Sequence, residues 1–79
     1  MRKNTTIFDY SKETFKKRIG LKIRSIRRRK GLTQLQLSKL SGVERTYLVH
    51  IEGGKQSMGL YTFYKIRKAL KVSYLKLLL

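Results

Sequence analysis

The sequence predicts an all-α domain, a bundle of five short helices joined by tight loops. Three observations carry this. Apolar residues recur at steps of three and four, Ser, Thr and Gly stand where helices would start and stop, and there is no strand pattern. With 79 residues the chain supports one small domain, whose thin core removes only roughly 60% of the unfolded surface from water. The apolar share of 41% is well above the disordered range.

Residues 1–10 read as an N-terminal arm and residues 11–79 as the domain. The arm carries Arg2 and Lys3, then Ile7, Phe8 and Tyr10, which are expected to tuck onto the domain. Ser11 is the N-cap of the first helix, with Glu13 near its positive end. Phe15, Ile19, Ile23 and Ile26 form its core stripe, while Lys12, Lys16, Lys17, Arg18, Lys22, Arg24, Arg28 and Arg29 point outward. Gly31 ends it in the left-handed conformation, with Arg27 to Lys30 at the negative terminus.

Thr33 caps a second helix over 34–41, closed by Gly42. A third runs from about Glu44 to Glu52 and stops at Gly53-Gly54. The loop 55–59 leads to a fourth, from Leu60 to about Leu70, with Leu60, Phe63, Ile66 and Leu70 as its core stripe. Ser73 caps a short terminal helix holding Tyr74, Leu77 and Leu78.

Charge divides unevenly along this plan. Twenty Lys and Arg against four Asp and Glu give a net +16, which opposes compaction and attracts polyanions. Residues 11–31 hold ten basic side chains and one acid, residues 53–79 hold six and none, yet residues 32–52 are neutral. A protein that reads base edges with its centre and grips phosphates with its flanks has this distribution. The alternative is a small basic protein whose charged faces are merely solvated.

Other classes are excluded by composition. Without Cys there is no disulfide, thiolate nucleophile or Cys-type zinc site, and one His makes no cluster. The acids Asp9, Glu13, Glu44 and Glu52 form no pair spaced for acid–base work, so no catalytic residue, metal or cofactor is expected. No apolar run approaches the ~20 residues of a membrane span, and Met1-Arg2-Lys3-Asn4 opens no signal peptide. A soluble, cytoplasmic protein that is not an enzyme is the expectation.

The informative motif is Gln34-x3-Ser38-x3-Gly42-x5-Leu48-x2-Ile51-Glu52. Ser38 is small where the third helix is expected to cross the second, and Gly42 permits the positive φ of a helix–turn–helix corner. Leu37, Val43, Leu48 and Ile51 pin the two helices to the bundle. At 100° per residue the third helix turns Leu48, Ile51 and the stem of Glu44 inward and Arg45, Thr46, Val49, His50 and Gly53 outward. In a major groove Arg45 suits guanine O6/N7, Thr46 a base edge or thymine methyl, Val49 an apolar contact and His50 a base or phosphate. Equally, Arg45 can be a solvated or ion-paired residue and His50 an ordinary surface histidine. Tyr47 falls between the faces. Gly53-Gly54 is a helix stop rather than a phosphate cradle, since no strand precedes it; Lys55 and Gln56 in the loop beyond, and Arg28 on the first helix, are candidate phosphate contacts.

From Ile19 to Leu78 the chain resembles the phage repressor and Cro (XRE-type) family of helix–turn–helix proteins. The matching residues include Ile23-x2-Ile26-Arg27-x3-Gly31-Leu32-Thr33-Gln34, the exit Glu52-x-Gly54-Lys55 and the closing Lys68-Ala69-Leu70-x-Val72-Ser73. Within it, Val43-Glu44-Arg45-Thr46-Tyr47-Leu48 is most similar to the controller proteins of restriction–modification systems. It departs from the pattern at Gly53, at Met58-Gly59 in place of Pro-Ser, and at Glu44 in place of a Ser or Asp cap.

The resemblance implies a repressor-like bundle in which Arg45, Thr46, Val49 and His50 read bases. It implies that Gln34 and Tyr47 touch DNA, and that Glu52 pairs with Arg27 across the first and third helices. It also implies a homodimer with recognition helices ~34 Å apart on a pseudo-palindromic operator of double-stranded DNA. The candidate interface is the terminal segment, with Ser73, Tyr74, Leu75 and Leu78; it holds more apolar side chains than a short helix can bury against its own domain. The alternative is that Tyr74, Leu77 and Leu78 only close the core.

The function read here is a sequence-specific transcription regulator that occupies an operator. The rivals are an antitoxin, which would bind a second protein, a basic RNA-binding protein, for which no aromatic platform is evident, and a cationic membrane-surface protein.

Overall fold

In the computed structural model, residues 11–79 are described, so the arm expected over 1–10 lies outside them. Among the described residues five helices form and no strand: α1 (Lys12–Arg29), α2 (Gln34–Ser41), α3 (Arg45–Glu52), α4 (Leu60–Leu70) and α5 (Tyr74–Leu78). The helices start where the caps predict. The Ser11 hydroxyl accepts from the Thr14 amide at 3.2 Å and the Ser73 hydroxyl from the Lys76 amide at 3.1 Å. Thr33 makes a reciprocal pair with Gln36: its hydroxyl accepts from the Gln36 amide at 3.0 Å, and its own amide donates to Gln36 Oε1 at 2.8 Å. Two of the orphan donors at the start of α2 are thereby satisfied. Glu44 and Gly59, at the heads of α3 and α4, provide no side-chain cap.

The stops also follow the sequence. Gly31 and Gly42 adopt φ of +72° and +76°, a region that costs an L side chain roughly 1–2 kcal/mol. Gly42 turns the chain from α2 toward α3, its amide donating to the Ser38 carbonyl at 2.8 Å. α4 ends without this help: Lys71 takes φ +58° itself.

α3 lies against α1 and α2, α4 lies against α2, and α5 returns to α1. The core they enclose contains Ile19, Ile23, Ile26, Leu37, Val43, Leu48, Ile51, Ile66, Leu70 and Leu77. Two stripe positions depart from expectation. Phe15 is 45% exposed and Leu60 is 80% exposed, because the bundle does not extend beneath the first turn of α1 or of α4. Arg24 also departs: it is half-buried rather than outward, its Nε 3.7 Å from a carboxylate oxygen of Glu52. Lys16 and Lys22 are half-buried as well, their long stems lying on the protein surface.

The helix–turn–helix corner is held differently from the sequence reading. Ser38 is not simply small; its hydroxyl donates to the Val43 carbonyl at 2.6 Å, while the Ser41 hydroxyl accepts from the Val43 amide at 3.1 Å. Both backbone groups of a buried turn residue are thus paired by side chains of α2. The close approach lies elsewhere, at Gly20 in the middle of α1. A Cβ there would run into the Ile51 carbonyl oxygen and sit 2.9 Å from that of Glu52. Gly20 therefore lets the last turn of α3 lie directly on the backbone of α1.

Candidate nucleic-acid interface

α3 is eight residues long, about 12 Å of helix, and its two faces separate as the wheel predicts except at Glu44, which precedes the helix and is exposed rather than inward. Leu48, Ile51 and Glu52 are buried; Arg45, Thr46, Val49 and His50 are exposed. The four exposed residues are spaced i, i+1, i+4 and i+5, so they share one side. Together they present a cation, a hydroxyl, a branched apolar group and an imidazole, the chemistry that base edges and a thymine methyl require.

The inner side of α3 is anchored by a buried ionic cluster. Glu52, 1% exposed, takes Arg27 Nε on Oε2 at 2.7 Å and Arg27 Nη2 on Oε1 at 2.9 Å. This bidentate fork fixes distance and orientation together. The third nitrogen of Arg27, Nη1, donates to the Leu32 carbonyl at 2.8 Å, so one side chain ties α1 to α3 and to the turn before α2. Gln34 Nε2 adds a bond to Glu52 Oε1 at 3.1 Å, and Arg24 Nε lies 3.7 Å from the same oxygen. Arg24 is thus drawn inward by the carboxylate, although its buried Nε makes no hydrogen bond. The cluster holds two guanidinium groups against one carboxylate, which leaves an excess positive charge beneath the start of α2.

Gln34 is therefore a half-buried brace of α3 as well as a candidate DNA contact. One amide hydrogen is committed to Glu52, leaving the other hydrogen and Oε1 for a further partner. Tyr47 is half-buried between the faces, its hydroxyl donating to the Ser57 carbonyl at 3.3 Å and so fastening the α3–α4 loop. Lys55 and Gln56 are exposed in that loop. The Lys55 amide donates to the His50 carbonyl at 2.9 Å, which fixes the loop to the end of α3. Arg28 is exposed in the last turn of α1.

A second surface is apolar. Tyr74, Leu75 and Leu79 of the terminal segment are exposed, Leu75 at 63%. Leu77 is buried in the core and Leu78 is half-buried against it, so the segment divides between core and surface. Beside it lie Leu60, expected in the core stripe, and Tyr61 and Tyr64 of α4, which the sequence reading did not single out; Tyr61 is 70% exposed. The three aromatics of Leu60-Tyr61-Thr62-Phe63-Tyr64 were the available signal. Phe63 meets the Tyr74 ring at 5.4 Å between centroids, and Arg67 lies over Tyr74 at 4.7 Å, so α4 and α5 form one continuous face. No described helix is long and apolar enough to cross a membrane, and the described residues contain no group of His, Asp and Glu able to hold a metal ion.

Comparison with known proteins agrees with this geometry. Residues 20–79 match the family described as helix-turn-helix domain. The chain is 36% identical over 62 residues to the uncharacterized HTH-type transcriptional regulator y4dJ of Sinorhizobium fredii, covering 78% of this chain and 80% of that protein. Its fold is similar to the crystal structure of the restriction-modification controller protein C.AhdI from Aeromonas hydrophila, with a TM-score of 0.75 and 33% identity over 77% of this chain and 92% of that one. It is also similar to the controller protein C.Esp1396I, solved as a tetramer in complex with its natural 35 base-pair operator, with a TM-score of 0.74 and 30% identity over 80% and 83% of the two chains.

Proposed function

Because the chain belongs to the helix-turn-helix domain family, we infer that it is a sequence-specific DNA-binding transcription regulator of the controller type, acting by occupying an operator. The observation that carries this is the exposed side of α3, where Arg45, Thr46, Val49 and His50 stand together over a helix anchored by the Arg27–Glu52 pair. A reading helix must be rigid, since a loose one spends its contact energy on ordering itself. Arg45 takes guanine O6/N7, Thr46 and Val49 an adjacent base edge or methyl, and His50 a base or phosphate. Tyr47 and Gln34 contact the groove edge, while Arg28, Lys55 and Gln56 take phosphates, and the strongly basic chain supplies the salt-dependent part of the affinity.

One α3 reaches only a few base pairs, so specific affinity needs a second copy. The exposed face of Leu60, Tyr61, Tyr64, Tyr74 and Leu75 supports a two-fold homodimer whose recognition helices meet successive major grooves. Ser73 and Leu78 lie at its edge. The titration of a sequence selected from random duplex DNA, beside a scrambled control and at several salt concentrations, tests the reading. A pseudo-palindromic sequence bound at least ~10³-fold better than the control is expected. Affinity that tracks salt alone, with no preferred sequence, would overturn it.

A further inference from the structure

The basic side chains of α1 lie on two sides of the helix, and α3 is seated on only one of them, at Gly20. At 100° per residue, Arg18, Lys22 and Arg29 fall roughly 160°, 200° and 180° around α1 from that glycine, on the side turned away from α3. Glu13, the only acid of α1, falls within about 20° of Gly20 and pairs with Lys16 at 3.3 Å. The far side is joined by α5: Arg29, Lys30 and Lys76 line one recess together with Ile26 and Val72. Neither these three cations nor Arg18 has an acid within ion-pair distance among the described residues. Like charges gathered in this way repel one another. Lys71, which adjoins Val72 of the recess, is exposed and holds φ +58°, the left-handed conformation taken after α1 and α2 by Gly31 and Gly42. A further cation thus stands beside the recess where glycine would sit without strain.

We propose that this far side of α1, with Lys71 and Lys76, binds the phosphate backbone of a second DNA duplex, so that a protein seated on its operator holds two DNA segments together. Such bridging rests on α3 being the operator-reading helix, and it adds a contact that is independent of sequence, since lysines and arginines on phosphates position a duplex without reading it. From Arg18 to Arg29 the cations extend over ~16 Å of helix, enough to meet several phosphates of one strand at ~3.4 Å of rise each. An acidic peptide fits less well. Ile26 in the floor of the recess is only 3% exposed, so little apolar surface is offered to anchor a side chain and charge dominates. The surface also stays open in a dimer, because Lys76 falls ~200° around α5 from Tyr74. Each protomer of an operator-bound pair therefore presents it, away from the groove that α3 enters.

The test immobilises the selected operator duplex on beads, saturates it with the full chain, washes away free protein and adds a fluorescent scrambled duplex at about 0.1 M salt. Wild-type protein should capture the second duplex, less as salt rises. Arg29→Gln with Lys76→Gln should reduce capture at least about tenfold and lower its slope against log salt by about two units, while operator affinity stays within about twofold. Lys12→Gln with Lys39→Gln removes the same charge elsewhere and should leave capture within about twofold. Lys71→Gly should weaken capture while raising the thermal midpoint. Titration of the operator reports on α3 and capture of the second duplex on the far side of α1, so a failure of either is seen separately. The proposal is overturned if operator-bound wild-type protein captures nothing, or if both double variants lose capture alike. Capture that survives Arg29→Gln with Lys76→Gln also overturns it, since a second α3 would then be the bridge. So does polyglutamate binding the loaded beads more tightly than the scrambled duplex, which would assign the surface to an acidic protein.

Discussion

Arg45 opens α3 with its side chain free of any partner within the described residues, whereas Arg27 spends every nitrogen on the protein. That contrast separates two guanidinium groups that composition treats alike. If Arg45 reads a guanine, Arg45→Ala should cost ~1–3 kcal/mol on the preferred site and relax the preference at one base pair. Equal weakening on all sequences would make it a phosphate contact instead. Arg28→Ala or Lys55→Ala should behave the other way, weakening every sequence alike and lowering the slope of log affinity against log salt by about one unit. Both titrations need the same selected site and scrambled control. The exposure of Arg45, Thr46, Val49 and His50 was legible because the outward side of an eight-residue helix follows from 100° steps. Arg24 was not legible in that way. It stands three residues before Arg27, on the same side of α1, but only the position of Glu52 on another helix draws it inward.

At the scale of the element, the seat of α3 rests on Gly20 and on the Glu52 cluster, and each makes a prediction whose sign is informative. Helix propensity alone has Gly20→Ala stabilising α1 by ~1 kcal/mol. The Ile51 and Glu52 carbonyls occupy the space a methyl group needs, so α3 must move. Overpacking of this kind costs ~1–3 kcal/mol, and the net change should be a lower thermal midpoint. DNA affinity should fall further than the lost stability explains, because the reading helix shifts. A raised midpoint would show that the contact yields cheaply.

Glu52→Ala leaves Arg27 buried without its carboxylate and should cost ~3–5 kcal/mol, most of a small domain's stability. Replacing both partners, as Arg27→Met with Glu52→Leu, should restore much of the midpoint in thermal melts. If the double variant is as unstable as Glu52→Ala alone, the pair contributes more than charge neutralisation. Thr33, Gly42 and the apolar pins were legible because caps, positive φ and helical period act within a few residues. Gly20 was not. Nothing within α1 distinguishes a tolerated glycine from one that a distant backbone presses against, and Leu60 shows the same limit, since period assigns a face but not the element that covers it.

The whole molecule sets two forces against each other. Each protomer carries +16, and the proposed dimer face is bordered by Lys65, Arg67 and Lys68. Some of this charge is held over the rings of the face, Lys65 lying 4.8 Å from the centre of Tyr61 and Arg67 4.7 Å from that of Tyr74. Two such faces repel at low salt, and the repulsion fades as the screening length falls below ~10 Å near 0.1 M. The DNA-binding step has the opposite dependence, weakening steeply with salt as counterion release loses its advantage. Dimerisation of the free protein should therefore tighten with added salt while operator binding loosens. On DNA the phosphates neutralise the protomers and should favour pairing of two copies that are monomeric apart at low salt. Sedimentation equilibrium across 0.05–0.5 M salt, roughly the range over which screening changes most, measures the first trend, and operator titration in the same buffers measures the second. Leu75→Lys, which places a further charge on the face, should shift the free protein to monomer at every salt and make operator binding half-site by half-site. A monomer–dimer equilibrium indifferent to both salt and Leu75→Lys would place the dimer contact on a different surface from α4 and α5.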